Sequence, residues 1–225
     1  MLKGLIFSFG LLATGLSMVF LDQDLALFFD DPRNHHWKWS AREITNIALG
    51  EYWFGLALLV FVFSRFFLPR FSRLRSYRER IKDMERWAGY FFLSLLGSGI
   101  LLQLGKILVG RQRPHISEAM DHLSFHPLTL HWHWQSFPSG HSQVIFTVAT
   151  CLTLLWPRMS WLFFLTATGL AFTRVMTLQH FLSDTIMGAM IGYFGSLWVW
   201  SLLRDKINRP VPFGHKVQTT KKEGL

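Results

Sequence analysis

Cysteine is almost missing from this chain of 225 residues. The single Cys151 lies inside an apolar run, which excludes an intrachain disulfide and a cysteine metal cluster and leaves it as a small core residue. Acids are scarce too, at 14 Asp and Glu against 23 Lys and Arg, for a formal net charge of +9. A basic balance of this size can signal nucleic acid, but the basic residues sit mostly in the gaps between apolar runs. The charge therefore reads as membrane topology and attraction to a lipid surface, with no nucleic-acid partner. No internal repeat and no low-complexity stretch is present.

What is abundant is apolar side chain: 50% of residues by the broad count, with 22 Phe and 10 Trp, gathered into runs rather than spaced along amphipathic faces. A membrane-spanning helix takes about 20 such residues. Six segments approach that length: Leu5–Leu21, Trp53–Leu68, Ala88–Val109, Gln143–Trp156, Trp161–Met176 and Thr185–Leu203. The expected fold is all-α, a bundle of six transmembrane helices over residues 1–207, with a disordered cytoplasmic tail at 208–225. Lys3 before the first run would suit a signal peptide, but Asp22-Gln23-Asp24 follows it instead of a small-x-small cleavage site, so an uncleaved first helix is expected. Only Pro157–Ser160 joins the fourth and fifth segments, as in a tight helical hairpin.

Orientation follows from loop charge. Arg70, Arg73, Arg75, Arg78, Arg80, Lys82 and Arg86 follow the second segment, and Arg204, Lys206, Arg209, Lys216, Lys221 and Lys222 follow the sixth. Both stretches should be cytoplasmic, as should the N-terminus. The regions Asp22–Tyr52, Gly110–Gly140 and Thr177–Leu182 then lie on the other face. Trp37 and Trp39 in the first of these suit an interfacial aromatic belt.

That topology collects ionisable residues on the non-cytoplasmic side. Lys106 ends the third segment and Arg111 and Arg113 follow in "KILVGRQRP"; His141 opens the fourth in "FPSGHSQ"; Arg174 ends the fifth, and His180 and Asp184 open the sixth in "TRVMTLQHFLSD". Singly, the cations could snorkel and the histidines could be structural. Charges at membrane depth are costly, so their joint placement points to a shared polar cavity. The chemistry such a set supports is phosphoryl transfer, which needs fixed positive charge around the phosphate oxygens and a nucleophile in line with the leaving oxygen. Lys106, Arg113 and Arg174 can supply the charge, and Ser139 and Gly140 can add donors at a helix N-terminus. His180 and Asp184, four residues apart, would share a helix face, with the carboxylate orienting a nucleophilic imidazole. His141 is then free to act as general acid and base. The scheme requires no metal or other cofactor.

These three stretches resemble the signatures of the type 2 phosphatidic acid phosphatase family: Lys, six residues, Arg-Pro; Pro-Ser-Gly-His; and Ser-Arg, five residues, His, three residues, Asp. The resemblance implies His180 as nucleophile, His141 as acid and base, Asp184 as orienting partner, and Lys106, Arg113, Ser139, Gly140 and Arg174 as the phosphate cradle. Thr173 stands where the family usually has Ser and keeps a hydroxyl. Leu178-Gln179 is bulkier than the family's small residues before the histidine. The implied function is a bacterial inner-membrane lipid phosphatase with its site facing the periplasm. Its substrate would be undecaprenyl pyrophosphate, lipid A, phosphatidylglycerol phosphate or phosphatidic acid. A lipid phosphotransferase and a non-catalytic anion-binding membrane protein remain rival readings.

Between the first two signatures stand His115, His122, His126, His131 and His133. His131 and His133 could face one side of an extended strand and bind metal. The preferred reading is an interfacial loop whose Trp132 and Trp134 dip into headgroups above the site, with Phe125, Leu128 and Leu130 suited to the same role, so that the loop could close over a lipid phosphate substrate.

Overall fold

Runs of Leu, Phe, Ala and Val without interior proline leave the backbone to satisfy its own hydrogen bonds as helix, the arrangement an apolar surrounding demands. The computed structural model describes residues 2–46, 49–71 and 76–207. It contains eight α-helices among them: α1 Leu2–Phe20, α2 Asp22–Asp30, α3 His35–Thr45, α4 Gly50–Val62, α5 Arg78–Val109, α6 Gly140–Leu155, α7 Ser160–Met176 and α8 Leu182–Leu203. The expected tail at 208–225, with Arg209, Lys216, Lys221 and Lys222, lies outside the described residues, as do Arg73 and Arg75.

Among the described residues, five helical stretches are long and apolar enough to cross a membrane: Leu2–Phe20, Gly50–Arg70, Arg78–Val109, Pro157–Met176 and Leu182–Leu203. The chain is thus an all-α, multi-pass membrane protein. The sixth expected span, α6, is apolar but has only 16 residues, about 24 Å against a hydrocarbon core of about 30 Å.

Two further expectations change. The third segment starts at Arg78 rather than Ala88, because ion pairs one turn apart, Glu79–Lys82 at 2.9 Å and Asp83–Arg86 at 3.2 Å, carry the helix through its charged end. The stretch Asp22–Tyr52 is no simple loop, since α2 and α3 fold within it. α2 buries Ala26 and Phe29 in a cluster with Met120, Val175, Leu178 and Phe181, and α3 packs on α7. Trp37 is exposed on α3; the side chain of Trp39 is outside the described set.

α8 is the central helix, packed on α1, α5, α6 and α7. Its contact with α6 is close enough that a Cβ on Gly188 would stand 2.3 Å from the Ser139 carbonyl oxygen, and one on Gly192 2.3 Å from that of Gln143. Only glycine permits this approach. It brings the N-termini of α6 and α8 together at one end of the bundle, where the C-termini of α1, α5 and α7 also finish.

Candidate active site

Each candidate stands in the first or last turn of an apolar helix or in the chain just outside it. α5 ends at Gly110, whose φ of 59° closes the helix in the left-handed conformation. A Cβ there would meet the His126 carbonyl oxygen at 1.8 Å. Lys106, one turn earlier, is buried, and its Nζ donates to the Gln135 carbonyl at 2.5 Å. Arg113 lies over the Trp132 ring at 5.3 Å and donates to the carbonyls of Trp132 at 3.2 Å and Gln179 at 3.3 Å. Arg174 in the last turn of α7 donates to the Thr45 hydroxyl at 3.2 Å. Its Nε is buried with no hydrogen-bond partner among the described residues, as suits a donor reserved for an anion. Ser139 caps α6, its hydroxyl accepting from Ser142 N–H. Gly140 and the half-buried His141 open that helix.

His180 is placed differently from the expectation. It belongs to the turn before α8, not to the helix, and its Nδ1 stands 3.7 Å from Asp184, beyond hydrogen-bond distance. The contact made by Nδ1 is 2.7 Å to the Ser136 carbonyl oxygen. A carbonyl only accepts, so Nδ1 carries the proton and Nε2 keeps its lone pair. Asp184 instead accepts from Ser136 Oγ at 2.6 Å, Phe181 N–H at 2.9 Å and Arg111 at 2.6 Å. It holds the turn that carries His180 rather than the ring itself.

Burial pushes His180 well below its ordinary value, and Arg113, Lys106, Arg174 and His141 push it further the same way. The hydrogen bonds place two of them beside the ring: Arg113 bonds the carbonyl of Gln179, next to His180, and Lys106 that of Gln135, next to the Ser136 that holds the imidazole. The ring is neutral at pH 7, the state a nucleophile needs. Because Arg113 is the strongest of the charges acting on it, Arg113→Gln should let the His180 value rise. Measured on one substrate, so that the titration of the phosphate itself cancels, the acid limb of kcat/KM should then move to higher pH than in wild type.

Sequence reasoning missed two residues here. Arg111, grouped with the other cations, is fully enclosed, and its five N–H donors are spent on Asp184, Ser183, Asp22 and, twice, the His122 carbonyl. Nothing is left for a phosphate. Asp22 at the start of α2, also fully buried, accepts from Arg111, Ser17 and both Ser183 N–H and Oγ. The unusual Leu178-Gln179 pair also finds a reason: Leu178 fills the cluster under α2, and its carbonyl accepts from His115 N–H at 3.2 Å. The Thr173 hydroxyl bonds back to the Leu170 carbonyl at 2.6 Å. His131 and His133 are neighbours, with rings 5.1 Å apart, but among the described residues no group of three His, Cys, Asp or Glu is arranged to hold a metal ion.

Comparison with known proteins matches the stretch of chain that carries these residues. A family model of the PAP2 superfamily matches residues 87–208. Lipid A 1-phosphatase of Rhizobium johnstonii is 38% identical over 129 residues, 56% of this chain and 53% of that protein. Lipid A 1-phosphatase of Rhizobium etli is 38% identical over 129 residues, 56% of each. That of Porphyromonas gingivalis is 29% identical over 153 residues, covering 66% of this chain and 30% of its own. The match thus spans about half the length of the Rhizobium proteins. Among solved structures, Aquifex aeolicus LpxE superposes with a TM-score of 0.54 at 22% identity, covering 80% of this chain and 95% of that one. A transmembrane PAP2 type phosphatidylglycerolphosphate phosphatase from Bacillus subtilis gives 0.54 at 19%, covering 91% and 96%. The last two share the fold.

Proposed function

The chain belongs to the PAP2 superfamily, and on that footing we propose that it is a membrane lipid phosphatase whose substrate is the 1-phosphate of lipid A. The observation that carries the reaction is the bond from His180 Nδ1 to the Ser136 carbonyl, which presents Nε2 as an unprotonated nucleophile among Lys106, Arg113 and Arg174. In the first half-reaction Nε2 attacks phosphorus, the ester P–O bond breaks, and His141 protonates the departing sugar oxygen. In the second, His141 takes a proton from water, whose oxygen attacks the phosphohistidine and releases inorganic phosphate. Ser139 and Gly140 bring the N-terminus of α6 to the anion. The substrate class rests on the three relatives named lipid A 1-phosphatase.

Orientation supports a site facing the periplasm of a bacterial inner membrane. Arg65, Arg78, Arg80, Lys82, Arg86, Arg158 and Arg204 cluster toward the bundle end opposite the site, the distribution of a cytoplasmic face.

The test is phosphate release by detergent-purified protein from lipid A 1-phosphate, phosphatidylglycerol phosphate, phosphatidic acid and undecaprenyl pyrophosphate, with a chelator present. Lipid A 1-phosphate should be turned over fastest, and the chelator should not matter. A different preferred lipid would overturn the substrate assignment. Turnover that needs a lipid acceptor and frees little phosphate would make the protein a phosphotransferase, and tight phosphate binding without turnover would leave only an anion site.

A further inference from the structure

From Leu123 to Gly140 the chain has no Asp, Glu, Lys or Arg. In a protein of net charge +9 this is the longest uncharged stretch between helices, and its first part, residues 123–132, is not buried, whereas Ser136, Pro138 and Ser139 are. Leu128 and Leu130 are 74% and 76% exposed, more than any other large apolar side chain among the described residues, and Leu123, Phe125 and Trp132 are exposed in the same stretch.

The segment is held in place. Gln112 N–H donates to the Ser124 carbonyl at 3.0 Å, His126 N–H to that of Gly110 at 2.6 Å, and Leu128 N–H to that of Ile107 at 2.7 Å. These bonds pin the loop against the last turn of α5, where Leu101, Leu104 and Leu108 form an exposed apolar stripe on a helix that crosses the membrane. Leu128, tied by its N–H to Ile107 in that last turn, adds a further exposed apolar side chain at the helix end. An apolar surface continuous with one already facing lipid, and free of charge, has a lipid layer as its fitting partner.

The same loop supports the active site from behind. The carbonyls of Trp132 and Gln135 hold Arg113 and Lys106, and that of Ser136 holds His180. We propose that residues 123–132 form a wedge that inserts into the lipid leaflet next to the active site, so that the site engages phosphates presented at a bilayer surface in preference to soluble ones. Headgroup contact and cation placement then share one backbone.

Two experiments test this, the first without any use of activity. Leu130→Cys, labelled with an environment-sensitive fluorophore in protein reconstituted into phosphatidylethanolamine and phosphatidylglycerol vesicles, should be quenched by nitroxide-bearing lipid and not by aqueous iodide. The native Cys151 is buried and serves as the unlabelled control. Quenching by iodide alone would overturn the wedge, and so would protection from both quenchers, which would put a second copy of the chain over the loop. The second experiment rests on the proposed function. Leu128→Asp with Leu130→Asp should raise KM for bilayer-embedded lipid A 1-phosphate by about tenfold or more. Hydrolysis of a short-chain soluble phosphate ester should stay at the wild-type rate. Equal loss on both substrates, or none on either, would overturn the coupling; a wild type inactive on every lipid would instead refute the phosphatase reading and leave the quenching result standing.

Discussion

His180→Ala is expected to abolish phosphate release from every substrate, by about 10⁵-fold or more, because the attacking atom is gone and no neighbouring group can replace it. Ser136 and Asp184 touch the turn but are committed to each other, and Lys106 is held by a carbonyl. Fold and phosphate affinity should survive. Among the described residues the imidazole's hydrogen-bond contacts are confined to Ser136, its carbonyl at 2.7 Å and its hydroxyl at 3.5 Å, and the alanine relieves burial of a polar ring. Trapping provides the positive control: acid-labile, alkali-stable phosphate should label the wild type during turnover and be missing from the variant. Labelled variant, or activity near wild type, would end the phosphohistidine scheme.

His141 should separate from His180 by its dependence on the leaving group. His141→Ala removes the proton donor, so a sugar or glycerol leaving group should lose about 10²–10⁴-fold. An aryl phosphate, whose phenolate leaves without a proton, should lose much less in the first half-reaction. A loss independent of the leaving group would assign His141 to positioning instead.

The extent to which these roles are legible in the sequence follows from the range of the interactions involved. Apolar runs mark helices because each helix satisfies its backbone locally, so α1, α4, α7 and α8 fall close to the expected segments. The charged start of α5 is hidden by the same reasoning, since ion pairs on the helix surface stabilise it where hydropathy stops. α2 and α3 are shorter than a span and mixed in charge, and they form by packing on α7 and the turn after it. The cations and histidines were visible because their motifs have fixed internal spacing. The carbonyl of Ser136 as the partner of His180 was not, because main-chain oxygens leave no mark in a sequence. Arg111 and Asp22 are 89 positions apart, and nothing local in either stretch announces the pair.

Arg111→Met is expected to be the most destabilising single substitution in the site, at a cost of about 3–5 kcal/mol. The methionine fills much of the space but leaves Asp22 and Asp184 facing each other across it, both wholly shielded from solvent. Two buried carboxylates then face each other without the cation and the donors that offset their burial. Arg111→Lys should fall between wild type and Met: it keeps the charge, but three donors at one point cannot reach acceptors that the planar guanidinium spans with five. It also forfeits the stacking on Phe181, now 4.2 Å from the guanidinium carbon. Unfolding in detergent should rank wild type, Lys, Met, and kcat should follow, because Asp184 loses the contact that fixes the turn under His180. Asp22→Asn provides the cross-check. It removes one carboxylate and leaves Arg111 paired to the other, so combining it with Arg111→Met should cost less than the sum of the two changes. Strict additivity, or a Met variant as stable and active as wild type, would disprove the clamp. Since Asp22 lies before the matched region 87–208, sub-additivity would also show that Arg111 couples the start of α2 to the His180 turn, beside the direct bonds from Ser183 to Asp22.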